Sequence, residues 1–394
     1  MTIRRFWSGV EAAAKREVGR IVANREYRAV MLWLPLVVIL FFAIFFSKEV
    51  VGTLPIAVVD EDNSSLSRKI VAMIRATPQV ALVREVADMA EAQKLLLQGE
   101  VVGVVEIPDY LSKAILSSET ARVVYYDSGT NISTNSLSAK GVQMAVASFG
   151  VGVELQRAEM NGVMPDEAMA QVMPIGFLTY GLFNPWLNYA YYVAPCFLAM
   201  ILIITAMLST IYALGAELRY GSSVEWLRSA NGSLIGALMG KLFPMTLALW
   251  LLVFVVGVLI FGLFGAPMQG SWVVLVAGAM SLVVAYQAVA LFVVALTASF
   301  RLSLSLGGGY SVLAFTFSGV TFPTIAMLSA VKPITMLFPY TYFMQLYIDQ
   351  AVRGSAWWLS MQNIASMLLF CLLPLLVLGR LKRIAINRKY WGRL

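Results

Sequence analysis

Long apolar runs separated by short polar interruptions occupy most of the chain, and one long mixed stretch breaks that rhythm. A helix rises about 1.5 Å per residue, so roughly 20 apolar residues cross a bilayer. Six runs predict spans: 29–46, 190–214, 242–264, 272–298, 302–322 and 361–379. The fifth contains Gly307–Gly309 and runs into Pro323, which permits either close helix packing or a break. Ahead of the first span, Phe6, Val10, Ala14, Val18, Ile21 and Val22 recur at helical spacing among charges. Residues 1–28 therefore predict an amphipathic helix lying on the membrane surface and leading into that span. An ordinary soluble amphipathic helix gives the same pattern, but continuity with the span favours the surface one. A cleaved secretory signal fits less well than an uncleaved span, because 28 residues precede the run and no small-residue cleavage pattern follows.

The mixed stretch, 48–189, alternates strand-like and helix-like segments. "LPIAVVDED" reads as a strand, and "SSLSRKIVAMIRA" as a helix begun by a Ser cap. "VALVREV" is a second strand. The next helix has Asp88 as N-cap, Glu91 three residues on and Gly99 near its end. "VVGVVEIP", "DYLSKAILSS" and "ARVVYYDSG" continue as strand, helix and strand, followed by a long helix over about 135–161. The prediction is an inserted α/β domain, large enough to fold on its own, that returns extended to the membrane over 173–188. Its "DED" at 60–62 reads as the end of a strand before a Ser/Asn turn, in preference to a metal cluster.

Composition narrows the class. Hydrophobic residues make up 59% and charged residues 13% of 394, far from a soluble globular balance. There is no His, and Cys196 and Cys371 both fall inside predicted spans. His-based acid–base chemistry is excluded, and neither a disulfide framework nor a thiol–metal site is suggested. Basic residues border the spans asymmetrically. The N-terminal 28 residues, the 213–241 segment, Arg301 and the tail at 380–394 together hold 17 of the 29 Lys/Arg and five of the 22 Asp/Glu. By the positive-inside rule both termini and that segment are cytoplasmic, and the α/β domain is extracytoplasmic. Anionic lipid at the membrane border accounts for the basic balance, so no nucleic acid is expected as a partner. The expected fold is a polytopic α-helical membrane protein of six transmembrane helices, with the inserted domain and the surface helix.

The polar segment "ALGAELRYGSSVEWLRSANGS" (213–233) interrupts the apolar rhythm with Glu217, Arg219, Gly221, Glu225, Trp226 and Arg228. Glu217, Gly221 and Glu225 are spaced to share one face if the segment is helical, and Arg228 lies three residues beyond Glu225. A short charged helix on a cytoplasmic loop suits a partner's groove, although a solvated loop with weak pairs has the same composition. On the other side, Pro323, Pro333 and Pro339 preclude a single helix through 317–345. Non-helical backbone at membrane depth survives only when buried in protein or lining a cavity. An outer gate including Phe322, Tyr340, Tyr342 and Phe343 is the expectation, with an interfacial aromatic belt as the plainer alternative. The span interiors hold no Asp or Glu and no Lys or Arg away from their ends. That disfavours an ion-driven carrier and suits an amphipathic or lipid-like cargo.

"GAELRYGSSVEWLRSANGSLIGALMGKLFP" resembles the cytoplasmic segment of ABC-2 type transporter permeases, with Glu217, Gly221, Glu225, Leu227, Lys241, Leu242 and Pro244 matching its pattern. It has one residue more between Gly221 and Glu225, and Ser222 or Ser223 in place of Thr. "FSGVTFPTIAMLSAVKPITMLFPYTYFMQLYIDQAVRG" (317–354) resembles the family's region of short helices dipping into the outer leaflet. "FNPWLNYAYYVAPCFLAMIL" (183–202) resembles the opening of its second span, with Cys196 at a Gly place.

The resemblance implies a permease subunit of an ATP-driven exporter in the bacterial inner membrane, and not itself an enzyme. Residues 215–233 would be the coupling helix, and 323–354 outer-leaflet re-entrant helices including Gly319 just before them, Phe322, Pro323, Pro339, Tyr340, Tyr342 and Phe343. Implied partners are two ABC ATPase subunits, a second permease copy (identical or paralogous), membrane lipid and a candidate periplasmic adaptor protein. No cofactor would be bound by this chain, ATP and Mg residing on the ATPase subunit. The nearest phosphate-loop decoy, "GSLIGALMGK" (232–241), lacks a hydroxyl after Lys241 and a preceding strand. The competing reading is a membrane-anchored receptor that uses the 48–189 domain without transport.

Overall fold

The computed structural model describes residues 3–46, 52–173 and 188–392, and the chain divides into two compact units, Met1–Glu49 with Phe183–Leu394, and Val50–Leu182. The first unit opens with α1 (Ile3–Ala23) and α2 (Arg25–Phe45), separated by Asn24. The Asn24 side chain caps α2 by accepting the Tyr27 N–H at 3.1 Å. This lets the chain turn between a surface-type helix and an apolar one.

The second unit runs β1 (Leu54–Asp60), α3 (Ser65–Arg75), β2 (Val80–Val86), α4 (Met89–Gln98), β3 (Gly103–Ile107), α5 (Leu111–Leu116), β4 (Val124–Asp127), α6 (Ile132–Met160) and α7 (Pro165–Val172). Its sheet has the order β2-β1-β3-β4, with β1 parallel to β2 and β3, and β4 antiparallel to β3. The central strand alternates between two cores. Ile56 and Val58 face Ile70, Leu111 and Phe149, whereas Ala57 and Val59 face Val86, Ala92 and Val104. A strand covered on both faces has to be apolar throughout, which is why "LPIAVV" carries no polar side chain. Ser64 and Asp88 cap α3 and α4, and Gly99 ends α4 at φ +73. The order of strands and helices is the expected one; α7 was not anticipated.

The first unit resumes with α8 (Tyr189–Arg219), α9 (Ser223–Ser229), α10 (Leu234–Leu263), α11 (Trp272–Thr297), α12 (Phe300–Thr316), α13 (Pro339–Tyr347) and α14 (Trp357–Ile386). Among the described residues five helices, α2, α8, α10, α11 and α14, are long and apolar enough to cross a membrane. Helices α8 and α11 form the centre, with Leu198, Ile203, Met207, Leu282, Val283 and Tyr286 buried between their neighbours. Helices α2, α10 and α14 turn Phe41, Ile44, Leu251, Phe254, Leu375 and Leu376 outward. In water that surface would be a liability; against acyl chains it is the compatible one.

Several boundaries differ from the sequence-based expectation. The third run is helical from Leu234 and not 242, because Ser233 accepts the Gly236 N–H and starts the helix earlier. The fifth, expected over 302–322, is the 17-residue α12, which stops at Thr316. Gly319 lies at φ +89, a conformation that ends the helical path. Within α12, Gly307 of the Gly triplet is a packing device, while Gly308 and Gly309 meet nothing. A Cβ on Gly307 would sit 2.4 Å from the Ile211 side chain of α8. The last run extends over Trp357–Ile386 and not only 361–379. The buried face of α1 is Gly9, Ala13, Glu17 and Ile21, while Val18 and Val22 are exposed. The expected return over 173–188 lies outside the described residues, save Met173 and Asn188.

Candidate functional site

The end of the first unit that carries the polar segment is organised by charges that the apolar pattern hides. Glu217, in the last turn of α8, is 1% exposed, as is Glu17 of α1, and Lys241 of α10 is 0% exposed. Lys241 Nζ donates to Glu17 Oε2 at 2.5 Å and to Glu217 Oε1 at 2.9 Å. Arg16 grips Glu217 with both guanidinium nitrogens, at 2.6 and 3.2 Å. Arg20 and the Ser222 hydroxyl also donate to Glu217. Tyr27 Oη donates to the other oxygen of Glu17 at 2.6 Å. Two carboxylates and three cations thus join α1, α8 and α10. Burial works most strongly against the Arg16 charge, but its hydrogen bond to Glu217 and the attraction of Glu217, Glu17 and Glu225 together outweigh that, and its pKa is raised.

Close backbone contact delivers these charges to one another. A Cβ on Gly240 would lie 2.4 Å from the Val10 carbonyl, and one on Gly9 2.9 Å from the Ala230 backbone. Helix α1 therefore lies directly on α10 and on the turn before it. Asn231, at φ +56, donates from its side chain to the Arg5 carbonyl at 2.8 Å and fixes the same crossing.

Glu217, Gly221 and Glu225 do not share one helical face. Gly221, at φ +67, breaks the chain between α8 and α9, so Glu217 points inward and Glu225 outward. The expected 215–233 helix is the seven-residue α9 flanked by turns. Trp226 and Leu227 bury its inner face, and Trp226 Nε1 donates to the Ala237 carbonyl at 3.1 Å. Ser223 Oγ donates to the Glu217 carbonyl at 3.0 Å. Glu225 and Arg228 are exposed, as are Arg219 and Tyr220 on the preceding turn. Arg219 lies 5.5 Å from the Tyr220 ring and 5.7 Å from the Phe300 ring. Of the six residues named from sequence, four are thus on the surface or in its turn, Trp226 is a buried anchor, and Glu217 is the hub of the ion cluster. Sequence reasoning missed Arg16, Glu17, Arg20 and Tyr27. The one available signal was an Arg-Glu-x-x-Arg run on the face of a helix otherwise read for its apolar residues. The decoy "GSLIGALMGK" is the N-cap and first turns of α10, and its Lys241 is spent on the two carboxylates.

The 317–354 segment is broken as its prolines require, into a turn at Thr324–Ala326, another at Lys332–Thr335, and α13 beginning at Pro339. Tyr340 and Phe343 are buried packing residues, and Tyr340 Oη donates to the Cys196 carbonyl of α8 at 2.7 Å. Tyr342 is half-buried and donates to the Met336 carbonyl at 3.2 Å. Phe322 and Pro323 are exposed. The expected set is therefore divided, one part anchoring α13 and the other on a surface stretch. Gly319 lines a cleft of about 350 Å³ with Thr324, Gln345, Asp349 and Arg353. Asp349 and Arg353, four residues apart on one helical segment, pair at 3.2 Å on its wall.

In the second unit the acidic "DED" serves local structure. Asp60 accepts from the Asn63 N–H at 3.0 Å and the Ser67 hydroxyl at 2.7 Å, and Asp62 accepts from the Ser112 N–H and hydroxyl. Burial is the largest single influence and disfavours the charged Asp62, but the hydrogen bonds from Ser64 and Ser112 together prevail and lower its pKa. Among the described residues no group of His, Cys, Asp and Glu could hold a metal ion.

A family model described as ABC-2 family transporter protein matches residues 25–380. No curated protein and no solved structure matches the chain significantly.

Proposed function

The chain belongs to the ABC-2 family of transporter proteins, a family of membrane-embedded transporter components, and from that premise we propose that it is the permease subunit of an ATP-driven exporter in the bacterial inner membrane. Both termini and α9 face the cytoplasm in this reading, with α12 as a sixth span. At about 1.5 Å per residue its 17 residues reach about 25 Å, a little under the hydrocarbon core. A second copy, identical or paralogous, completes the path, and two ATP-binding subunits supply ATP and Mg. The cargo is hydrophobic or amphipathic, consistent with the apolar helix surfaces.

The observation that carries the proposal is the construction of α9. Its inner face is locked by Trp226, Leu227 and Ser223 against helices that cross the membrane, while its outer face offers Glu225 and Arg228. A helix that is rigid toward the membrane and charged toward water transmits a push. The test is co-purification with an ATP-binding subunit, followed by ATPase and transport assays. Glu225→Ala with Arg228→Ala should leave the permease folded yet cut transport per ATP hydrolysed by about tenfold, the scale of a lost docking hot spot. Failure to recruit any ATP-binding subunit, or unchanged coupling in the double variant, sinks the proposal.

A receptor reading rests on one specific feature of the second unit, a cleft of about 360 Å³ lined by Ile70, Leu111, Ile115, Phe149, Glu154 and Arg157. In the exporter reading the same unit receives cargo or meets a periplasmic adaptor. ATP-dependent accumulation of cargo in vesicles separates the two.

A further inference from the structure

Helix α14 does not simply end near the membrane. Asn387 accepts the Lys389 N–H at 3.0 Å and turns the chain into a tight helical turn, Arg388–Tyr390. That turn brings Trp391 onto the break between α8 and α9. A Cβ on Gly221 would lie 3.2 Å from the Trp391 ring, and the Gly392 N–H donates to the Leu218 carbonyl at 3.2 Å. The last turn of α8 leaves carbonyls without intrahelical donors; one of them is satisfied from a segment some 170 residues away. Gly221 is thus constrained twice, by its positive φ and by the indole seated on it. Arg388 lies 5.9 Å from the Trp391 ring centroid. Leu381, Ile384 and Ala385 of α14 are buried in the main core, so the segment rests on a rigid base, and α14 packs on α9.

Two features of this arrangement are not explained by internal packing. The Trp391 ring and the Gly392 N–H hold the basic turn Arg388–Tyr390 beside α9, although nothing in the helical packing needs its charges there. Arg219, Arg228, Arg388 and Lys389 are all exposed, against Glu225 as the exposed acid of α9. We propose that Arg388–Gly392 and α9 form one composite docking face, whose partner is an ATP-binding subunit with an acidic rim. This deepens the reading of α9 given above and rests on it. The partner would grip the ends of α8 and α14 together, through Trp391, and not α9 alone.

The test uses the full-length chain in nanodiscs and an ATP-binding subunit co-expressed from a neighbouring reading frame, with affinity measured at low and high salt. Arg388→Glu with Lys389→Glu should weaken binding about tenfold at ~50 mM salt and less at ~500 mM, where screening shortens the reach of charge. Trp391→Ala removes the ring that seats the tail on Gly221 and frees the basic turn from its place beside α9. It should weaken binding by roughly three- to tenfold at ~50 mM salt, because the charges are no longer held in one place, with the rest of the helical unit folded. Wild-type affinity in either variant overturns the proposal, since a purely structural tail predicts that result. If the wild-type chain binds no ATP-binding subunit, the transporter reading itself fails, and this proposal with it.

Discussion

Lys241 shows how much one side chain is asked to do at this end of the molecule. Its ammonium is fully buried between Glu17 and Glu217, with the Trp226 ring centroid 5.5 Å away. Buried ion pairs gain little over apolar packing when replaced whole, yet removing one partner strands the other charge. Lys241→Met should therefore destabilise the helical unit by about 3–5 kcal/mol, read as a lower thermal midpoint in detergent. Adding Glu17→Gln removes the carboxylate that the first change strands, so the double variant should lose clearly less than the sum of the two single changes. Strict additivity would mean that the groups do not act as one cluster. Glu217 cannot be relieved in the same way, since Arg16, Arg20 and Ser222 also converge on it. Substituting it therefore probes the fold before it probes coupling, and Glu225 and Arg228 are the cleaner positions.

At the scale of elements, what the sequence made legible was whatever depended on neighbours a few residues away. Ser64, Asp88 and Gly99 mark their helix ends by local hydrogen bonding and local φ, so the second unit was readable almost segment by segment. The prolines at 323, 333 and 339 broke the 317–345 stretch for equally local reasons. Illegible were contacts between residues some 200 positions apart, such as Arg16 with Glu217 or Gly240 under Val10, because no local period encodes them. The 213–233 segment failed in an instructive way. Glutamates at helical spacing imply a shared face only if the backbone between them is helical, and Gly221 withdraws that condition.

The same distinction governs Gln350, an unremarked residue in sequence that proves to tie three segments. Its Oε1 accepts the Ser271 N–H at 2.9 Å, and its Nε2 donates to the Ser360 hydroxyl at 2.8 Å and the Ser355 carbonyl at 3.0 Å. It is fully buried, so Gln350→Leu leaves the Ser271 N–H and the Ser355 carbonyl without their side-chain partner. The expected cost is about 1–3 kcal/mol per group left unsatisfied. Accelerated hydrogen exchange over 265–271 and 354–360, with the α1–α10 crossing unaffected, would locate the effect. Uniform loosening of the whole helical unit would refute the idea that this is a local latch.

For the whole molecule, the decisive fact is that two separate cores are written into one chain. The α/β unit buries Ile56, Val58, Ile70 and Phe149 among its own residues, and the helical unit closes around α8 and α11. The points where the second unit is inserted also lie on neighbouring helices. Phe42 stacks on Phe197 and Phe46 tilts against it, with ring centroids 5.4 and 5.9 Å apart, so the end of α2 is already held against the first turns of α8. From Phe197 back to the start of α8 is about 12 Å of helix, and a flexible linker of about ten Gly/Ser residues averages about 17 Å end to end. Replacing residues 50–182 with such a linker should therefore leave the helical unit folded and the ion cluster intact, with a thermal midpoint close to the parent's. In the exporter reading the excised chain should still bind an ATP-binding subunit through α9 and the Trp391 segment, while cargo transport falls to background. Retained transport would remove the α/β unit from the cargo path. Loss of folding would show that the helical unit depends on the α/β unit for more than connection.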